Sequence, residues 1–365
     1  MTTAIEQLTR AGQSIWLDFI SREMLYSGKL QRYVDDGWVT GLTSNPSIFA
    51  KAIAGSTDYD AQLREVARSG ERDPYQAFVA LAVDDIQRAA DLFRPVYEHT
   101  RGADGYVSLE APPGLEHDVE RTVAEVKRLS GLVDRPNVMI KVPGTDAGVE
   151  ALTQLTTDGV NVNVTLLFSV DVYERFALGY IEGLERRLDQ GLPMDGVASV
   201  ASFFVSRVDS VVDRELPQDS PLRGEAAIAN ALTAYGRFRK IVAGERWQRL
   251  GAAGARVQRP LWGSTSTKDP AYSDVLYVER LIAPDTVNTM PEPTLQAFAE
   301  HGNGTPVADH VVAEAPSRLA EIEAAGINKR AVTDRLLREG LDAFASDFQG
   351  LLQSIEKELR RETAK

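Results

Sequence analysis

The chain has 365 residues, of which 43% are hydrophobic, and a formal net charge of −13. This acidic balance disfavours general nucleic-acid binding, which depends on a basic surface. The chain has no cysteine and only four histidines, which excludes disulfides, thiolate nucleophiles and cysteine-ligated zinc. No two histidines have HExxH spacing, so we expect no metal site.

Strand-like and helix-like segments alternate along most of the chain. A helical stretch up to about Gln13 precedes eight candidate strands, at Ile15–Ile20, Gly41–Ser44, Tyr106–Ala111, Val138–Val142, Val160–Leu167, Val197–Val205, Val257–Gly263 and Thr286–Met290. Amphipathic helices are predicted at Asp73–Tyr97, Leu115–Ser130, Ala147–Thr157, Val170–Gln190 and Ala226–Ala243. Eight strands alternating with helices predict an α/β fold, a parallel (β/α)8 TIM barrel.

After Pro291 the pattern contains helices only, ending with Arg330–Arg361, and His301–Pro306 is predicted as a loop. No linker composition marks a boundary, so we expect one domain, 1–365, whose residues 291–365 form a helical layer packed on the barrel. No apolar run is long enough to span a bilayer. The first residues lack the pattern of a secretory signal, so we expect a cytoplasmic protein without membrane partners.

Alternation along four strands places polar side chains on one face of each. The predicted inward sets are Trp16, Asp18 and Ile20 in the first strand, Ser108 and Glu110 in the third, Met139 and Lys141 in the fourth, and Asn163 and Thr165 in the fifth. The opposite faces are apolar and suit contact with the outer helices. The polar side chains are therefore expected to converge inside the barrel, toward its C-terminal mouth.

Lys141 lies in the apolar run Val138–Pro143, which is typical of a strand buried on both faces. A desolvated lysine has a lowered pKa, and its neutral amine attacks carbonyls. The sequence thus predicts a Schiff-base enzyme, on the condition that the pocket keeps the amine largely unpaired. The alternative is that Lys141 merely neutralises a buried acid, either Asp18 or Glu110.

The remaining polar strand residues have both structural and chemical interpretations. Asp18 and Glu110 are either ion-pair partners or the groups that divide the proton transfers of imine formation and carbon–carbon cleavage. Thr165 offers a hydroxyl that positions a water, or is an ordinary strand residue. Asn163 is placed to bond a substrate hydroxyl or its own backbone. Asn45, which precedes a proline, suits a helix N-cap, and its position after a strand also allows a substrate contact.

Two late segments, Ser202–Arg207 and Trp262–Lys268, predict phosphate binding. Barrel enzymes often bind phosphate in their late βα loops. Hydroxyl donors, an ammonium group and a guanidinium fork suit such an anion. The alternatives are a solvated loop ending in lysine and a pair between Arg207 and Asp209.

Seven motifs in chain order, from about Trp16 to Met290, resemble transaldolase in its longer bacterial form: WLDFISR, GLTSNPSIF, VSLEAPP, VMIKVPGT, NVNVTLLFS, SFFVSRVD and WGSTSTK. The resemblance implies a (β/α)8 barrel and a class I mechanism that needs no cofactor. It places the Schiff-base lysine at Lys141 and the other catalytic residues at Asp18, Glu110 and Thr165. It implies substrate contacts at Asn45, Asn163, Ser202 and Ser266, and a phosphate-binding pair at Arg207 and Lys268. Many transaldolases have arginine at the last position, whereas Lys268 offers a point charge without bidentate geometry.

The resemblance implies transfer of a dihydroxyacetone unit from sedoheptulose 7-phosphate to glyceraldehyde 3-phosphate in the pentose phosphate pathway. The products would be erythrose 4-phosphate and fructose 6-phosphate. One alternative is a lyase like the related fructose 6-phosphate aldolases, which are shorter and typically lack the acid of the third strand. The other is a non-catalytic sugar-phosphate-binding barrel. The expected partners are small sugar phosphates, and the C-terminal helices are compatible with a homo-oligomer.

Overall fold

The computed structural model describes residues 2–363 and contains one closed barrel of parallel strands in chain order. The prediction of a (β/α)8 barrel is thereby confirmed. Met1, Ala364 and Lys365, which the predicted domain and its C-terminal layer include, lie outside the described residues. The strands are β1 Gln13–Asp18, β2 Gly41–Thr43, β3 Val107–Glu110, β4 Val138–Pro143, β5 Val162–Leu167, β6 Ser199–Phe204, β7 Arg259–Gly263 and β8 Thr286–Met290.

The helices surround this barrel and extend beyond it at both ends of the chain. They are α1 Ala4–Arg10, α2 Arg22–Tyr26, α3 Lys29–Asp35, α4 Pro46–Ala54, α5 Asp60–Arg68, α6 Pro74–His99, α7 Val119–Val133, α8 Asp146–Thr157, α9 Val170–Asp189, α10 Ser206–Glu215, α11 Ala226–Val242, α12 Glu245–Ala252, α13 Leu276–Glu279, α14 Glu292–His301, α15 Asp309–Ala324 and α16 Lys329–Thr363. No helix within residues 2–363 is both long and apolar enough to cross a membrane.

Side-chain caps fix where the helices leave the barrel mouth. Asn45 Oδ1 accepts a hydrogen bond from the Ile48 amide at 3.0 Å, and Pro46 occupies the first turn of α4. Thr145 Oγ1 accepts from the Gly148 amide at 3.1 Å at the start of α8. Such caps satisfy amides that have no partner inside the helix. They start the helices directly after strands whose carboxyl ends carry the predicted site.

The lower half of the barrel interior is filled by apolar side chains. They are Trp16, Tyr106, Met139, Ala198, Val200, Leu261 and Val287. Trp16 Nε1 donates to Asp104 Oδ1 at 2.8 Å, which satisfies the one polar atom of the indole. A Cβ atom at Gly41 would lie 2.6 Å from Trp16 Nε1, so β2 must carry glycine there.

The predicted inward position of Ile20 is wrong. β1 ends at Asp18, and alternation no longer applies beyond it. Ile20 is buried in the outer core with Leu17, between the barrel and its helices. The inward face of β1 near the mouth is therefore Trp16 followed by Asp18.

The C-terminal helices pack on the barrel layer. α14 contacts α1, α15 lies along α11, and α16 crosses α4, α5, α6 and α10. At Gly340 of α16, a Cβ atom would lie 2.9 Å from Leu166 Cδ2. Leu166 has a φ of +60° where the β5–β6 register shifts. This irregular strand end meets α16 at the mouth of the barrel.

Leu261→Ala is expected to lower the free energy of unfolding by about 2–5 kcal/mol, because it opens a cavity in the barrel interior. Leu132→Ala, at a residue 45% exposed, is expected to cost less than about 0.5 kcal/mol. Urea unfolding followed by tryptophan fluorescence measures both. Equal losses in the two variants would contradict the assignment of Leu261 to the core.

Candidate active site

A cavity of about 320 Å³ opens at the C-terminal mouth of the barrel. Seven of the ten predicted site residues line it: Asp18, Asn45, Lys141, Ser202, Arg207, Ser266 and Lys268. A wider groove of about 840 Å³, lined by Arg22, Tyr26 and Asp84 among others, contains no predicted site residue. The structure thus brings residues from five strands or their following loops to one place.

Lys141 is only 4% exposed, and its amine has two polar contacts. Nζ lies 2.8 Å from Glu110 Oε2 and donates to the Ser44 carbonyl oxygen at 3.1 Å. The expectation of a largely unpaired amine is therefore wrong. Glu110 and Lys141 face each other across neighbouring strands in register, so the buried ammonium is compensated by an adjacent carboxylate.

Glu110 is buried behind the cavity with one oxygen against the amine. Burial raises the pKa of Glu110, opposed by the charge of Lys141, and the nearby Asp18 charge raises it further. Its carboxylate is a stronger base than that of a free glutamate. It is thus suited to exchanging protons with the amine.

Asp18 lines the cavity and is oriented by two threonine hydroxyls. Thr43 Oγ1 donates to Asp18 Oδ1 at 2.7 Å. Thr43 Oγ1 also lies 2.6 Å from Thr289 Oγ1, which donates to it because the Thr43 proton is already used. Burial raises the pKa of Asp18, and the charge of Lys141 opposes that rise. Two buried acids therefore share one cation.

A chain of hydrogen bonds runs behind the cavity wall. Ser202 Oγ donates to Asn163 Oδ1 at 2.6 Å, and Asn163 Nδ2 donates to Ser108 Oγ at 3.0 Å. Asn163 is fully buried and orients Ser202, which itself lines the cavity. Thr165 is also fully buried, and its Oγ1 makes no hydrogen bond to the described part of the chain. That hydroxyl keeps its capacity to bond a water.

Arg207 and Lys268 meet at the rim of the cavity. The Arg207 guanidinium lies 5.3 Å from the centroid of the Phe204 ring, and burial lowers the pKa of Arg207. Lys268 Nζ donates to Ser266 Oγ at 2.8 Å. Partial burial and then the Arg207 charge lower the pKa of Lys268, although much of that side chain remains exposed. Two cations at one rim are suited to a doubly charged anion.

The alternative pairing of Arg207 with Asp209 does not occur. Asp209 Oδ1 accepts from the Ala227 amide at 2.7 Å, and Oδ2 accepts from the Tyr277 hydroxyl at 2.8 Å. Among residues 2–361, whose side chains the structure describes, no carboxylate forms an ion pair with Arg207. The guanidinium is thus free to bind a ligand.

Several residues of the site were not found from the sequence. Phe344 of α16 and Lys51 of α4 line the cavity, and Thr43 and Thr289 orient Asp18. Phe344 lies on a helix distant in sequence, where no motif marks it. Thr43 is contained in one of the recognised motifs, and its inward position beside Asp18 was a usable signal. Within the described range, no cluster of three or more histidine or acidic side chains is arranged to hold a metal ion.

A buried lysine paired with one carboxylate, in a barrel-mouth cavity that a second carboxylate lines, has the chemistry expected of an enzyme that acts on carbonyl compounds. Residues 15–355 match the family model described as Transaldolase/Fructose-6-phosphate aldolase, and the chain belongs to that family. A relative named Transaldolase 2 from Nostoc punctiforme is 43% identical, with 98% of each chain covered. Proteins named Transaldolase from Parafrankia sp. and Acidothermus cellulolyticus are 47% and 46% identical, over at least 98% of each chain. The resemblance inferred from the motifs is confirmed.

A double-mutant cycle tests the Lys141–Glu110 pair. Glu110→Gln and Lys141→Met are each expected to destabilise the protein, and the double variant less than their sum. The expected coupling is about 0.5–3 kcal/mol, because each single change leaves a buried group without its partner. Urea unfolding provides the four free energies.

The exposed pair Arg335 and Glu339, whose side chains lie 2.7 Å apart on α16, is the control. Its coupling is expected to be below about 0.5 kcal/mol. If Glu110 and Lys141 are no more coupled than this surface pair, the buried ion pair is refuted.

Proposed function

We propose that the protein is a transaldolase of the pentose phosphate pathway. It would move a dihydroxyacetone unit from sedoheptulose 7-phosphate to glyceraldehyde 3-phosphate. The observation that carries this proposal is the Lys141 amine, buried at the barrel mouth, 2.8 Å from Glu110 and in the same cavity as Asp18. The transaldolase relatives that match nearly the whole chain support it.

The first step is formation of the imine. Lys141 Nζ attacks the C2 ketone of the donor, and the carbinolamine then loses water. Glu110 moves the protons, accepting one from the attacking amine and delivering one to the leaving oxygen. A water bonded to Thr165 Oγ1 connects Glu110 to that oxygen. The buried, unused hydroxyl of Thr165 supports this role.

The second step breaks the C3–C4 bond. Asp18 removes the proton of the C4 hydroxyl, an aldehyde forms at C4, and the electron pair of the broken bond moves into the protonated imine. The raised pKa of Asp18 makes it a more effective base than an ordinary aspartate. The aldose phosphate leaves, and a three-carbon enamine stays bound to Lys141.

The third step is the reverse reaction with a new aldehyde. The enamine carbon attacks the acceptor, Asp18 returns its proton to the new C4 oxygen, and water hydrolyses the imine to free Lys141. Covalent retention of the three-carbon unit predicts ping-pong kinetics.

The rim would hold the phosphate and the sugar hydroxyls. Arg207, Lys268 and Ser266 would bind the phosphate. Ser202 would bond a sugar hydroxyl, with Asn163 holding it in place. Asn45 would contribute its amide Nδ2, since its Oδ1 already caps α4.

The location and organisation of the enzyme are part of the same proposal. We place it in the cytoplasm as a single domain of residues 1–365, with residues 291–365 as a helical layer on the barrel. The contacts of α14, α15 and α16 with barrel helices support this organisation.

Borohydride trapping with fructose 6-phosphate is expected to leave a three-carbon adduct on Lys141, located by peptide mass mapping. Lys141→Met should abolish the adduct and lower kcat by about 1000-fold or more. Lys51→Met, at a second lysine lining the cavity, should keep the adduct. An adduct on any other lysine would refute the assignment.

Measuring dihydroxyacetone release with and without an acceptor aldehyde separates transfer from the lyase, and a binding measurement identifies the non-catalytic barrel. A transaldolase should release little dihydroxyacetone and turn over only when an acceptor aldehyde is present. Steady release without acceptor would indicate the lyase. Binding without any turnover, unchanged in Lys141→Ala, would indicate the non-catalytic barrel.

Thr43→Val is expected to shift the acidic limb of the kcat/KM pH profile upward by about one unit. Asp18 acts as a carboxylate, so activity falls as pH drops below its pKa. The Thr43 hydrogen bond favours the carboxylate, and a bond to a charged group contributes about 1.5–3 kcal/mol. Losing it raises the pKa further. Thr43→Ser keeps the hydroxyl and should keep the wild-type profile, whereas equal profiles for both variants would exclude Asp18 as the base.

A further inference from the structure

Two aspartates of α10 are hydrogen-bonded to two tyrosines of the β7–β8 connection. The Tyr277 hydroxyl donates to Asp209 Oδ2 at 2.8 Å, and the Tyr272 hydroxyl donates to Asp213 Oδ2 at 2.7 Å. Asp209 and Asp213 are almost completely buried. We call these four residues the Asp–Tyr clamp. The catalytic steps proposed above use none of them.

The second oxygen of each aspartate binds a third segment. Asp209 Oδ1 accepts from the Ala227 amide at 2.7 Å, and Asp213 Oδ1 accepts from the Gly224 amide at 3.0 Å. Gly224 has a φ of +73°, and a Cβ atom there would lie 3.0 Å from Tyr272 Cζ. The ring of Tyr272 therefore packs directly on this glycine. Each carboxylate joins α10, the start of α11 and the β7–β8 connection.

Burial without a cation makes the arrangement costly for Asp209. Burial raises the pKa of Asp209 to about 7, opposed by the Ala227 amide and the Tyr277 hydroxyl, while Asp213 and Glu225 add to the rise. In the described chain no lysine or arginine forms an ion pair with Asp209. Two apolar side chains in place of Asp209 and Tyr277 would pack these elements together without the free-energy cost of burying a carboxylate. We therefore attribute the hydrogen bonds to fixing the orientation of the β7–β8 connection relative to α10.

The clamp joins the two elements that carry the cations of the rim. Asp209 follows Arg207 on α10, and Tyr272 follows Lys268 in the loop after β7. Arg207 and Lys268 repel each other when no anion lies between them. Ser206 and Ser264, whose hydroxyl oxygens are 2.9 Å apart, join the same two elements at the barrel end. The loop is thus fixed on both sides of Lys268.

We propose that Asp209, Asp213, Tyr272 and Tyr277 are positioning residues that hold Lys268 against Arg207, so that both cations bind one phosphate group. The inference rests on the proposed function, in which the substrate carries that phosphate. A lysine on a free loop would lose conformational entropy on binding, and a clamped loop has lost it already. The clamp thereby compensates for the missing bidentate geometry at Lys268.

The test uses Tyr272→Phe, Tyr277→Phe and the double variant of the full chain. Tyr173→Phe is the matched control, because Tyr173 on α9 is as buried as Tyr277 and its hydroxyl has no hydrogen-bond partner in the described chain. Calorimetry with inorganic phosphate measures binding directly, and steady-state assays compare glyceraldehyde 3-phosphate with unphosphorylated glyceraldehyde as acceptor. Thermal unfolding confirms that each variant is folded. If the double variant does not fold, the same measurements are made on Tyr272→Phe alone, because this position is half-buried.

The double variant is expected to raise the Kd for phosphate and the KM for glyceraldehyde 3-phosphate about tenfold, because the freed loop that carries Lys268 must then be ordered when the phosphate binds. The kcat and the KM for glyceraldehyde should stay within about twofold. A phosphate Kd no different from that of Tyr173→Phe would overturn the clamp, as would equal losses with both acceptors. A wild-type protein that binds phosphate but transfers nothing would refute the proposed function alone, since the calorimetric comparison needs no turnover.

Discussion

The site depends on the ion pair between Lys141 and Glu110. A buried ammonium is stable only beside a compensating group, and the β3–β4 register supplies one at 2.8 Å. The same burial raises the pKa values of Glu110 and Asp18. The raised pKa values make both carboxylates stronger bases, which suits the proton transfers of the proposed imine chemistry. The pairing compensates the buried charge of Lys141, and the expectation that this lysine stands alone was mistaken.

The two halves of the barrel interior have different tasks. Below Lys141 the interior is apolar, from Trp16 to Leu261, and the single indole donor is satisfied by Asp104. Above it the inward side chains are polar and mutually hydrogen-bonded. Successive inward side chains are two residues apart along a strand, so one step along the strand leads from the apolar interior of the barrel to the polar layer at its mouth. Trp16 and Asp18 of β1 show this change within one strand.

The sequence predicted the eight strands because strand-like segments alternate with amphipathic helices, and alternation along four of these strands predicted the inward acids. Ile20 was misplaced because periodicity does not indicate where a strand ends. The partner of Lys141 was left open, since register between strands depends on the closed sheet rather than on either segment. Phe344 had no local signal: its place at the mouth results from the path of α16, which tertiary packing decides. The roles of all ten site residues remain predictions, and for Asn45 and Asn163 hydrogen bonds explain how the side chains are held.

Gly340 lets the last helix lie against Leu166 without a side chain between them. The 35-residue helix α16 consequently forms one wall of the cavity, and Phe344 lines it there. In the proposed reaction, shortening the chain at this end, or fusing a bulky protein that displaces α16, would let water reach the enamine. In that reaction, protonation of the enamine would then compete with its addition to the acceptor aldehyde, and dihydroxyacetone would be released by hydrolysis.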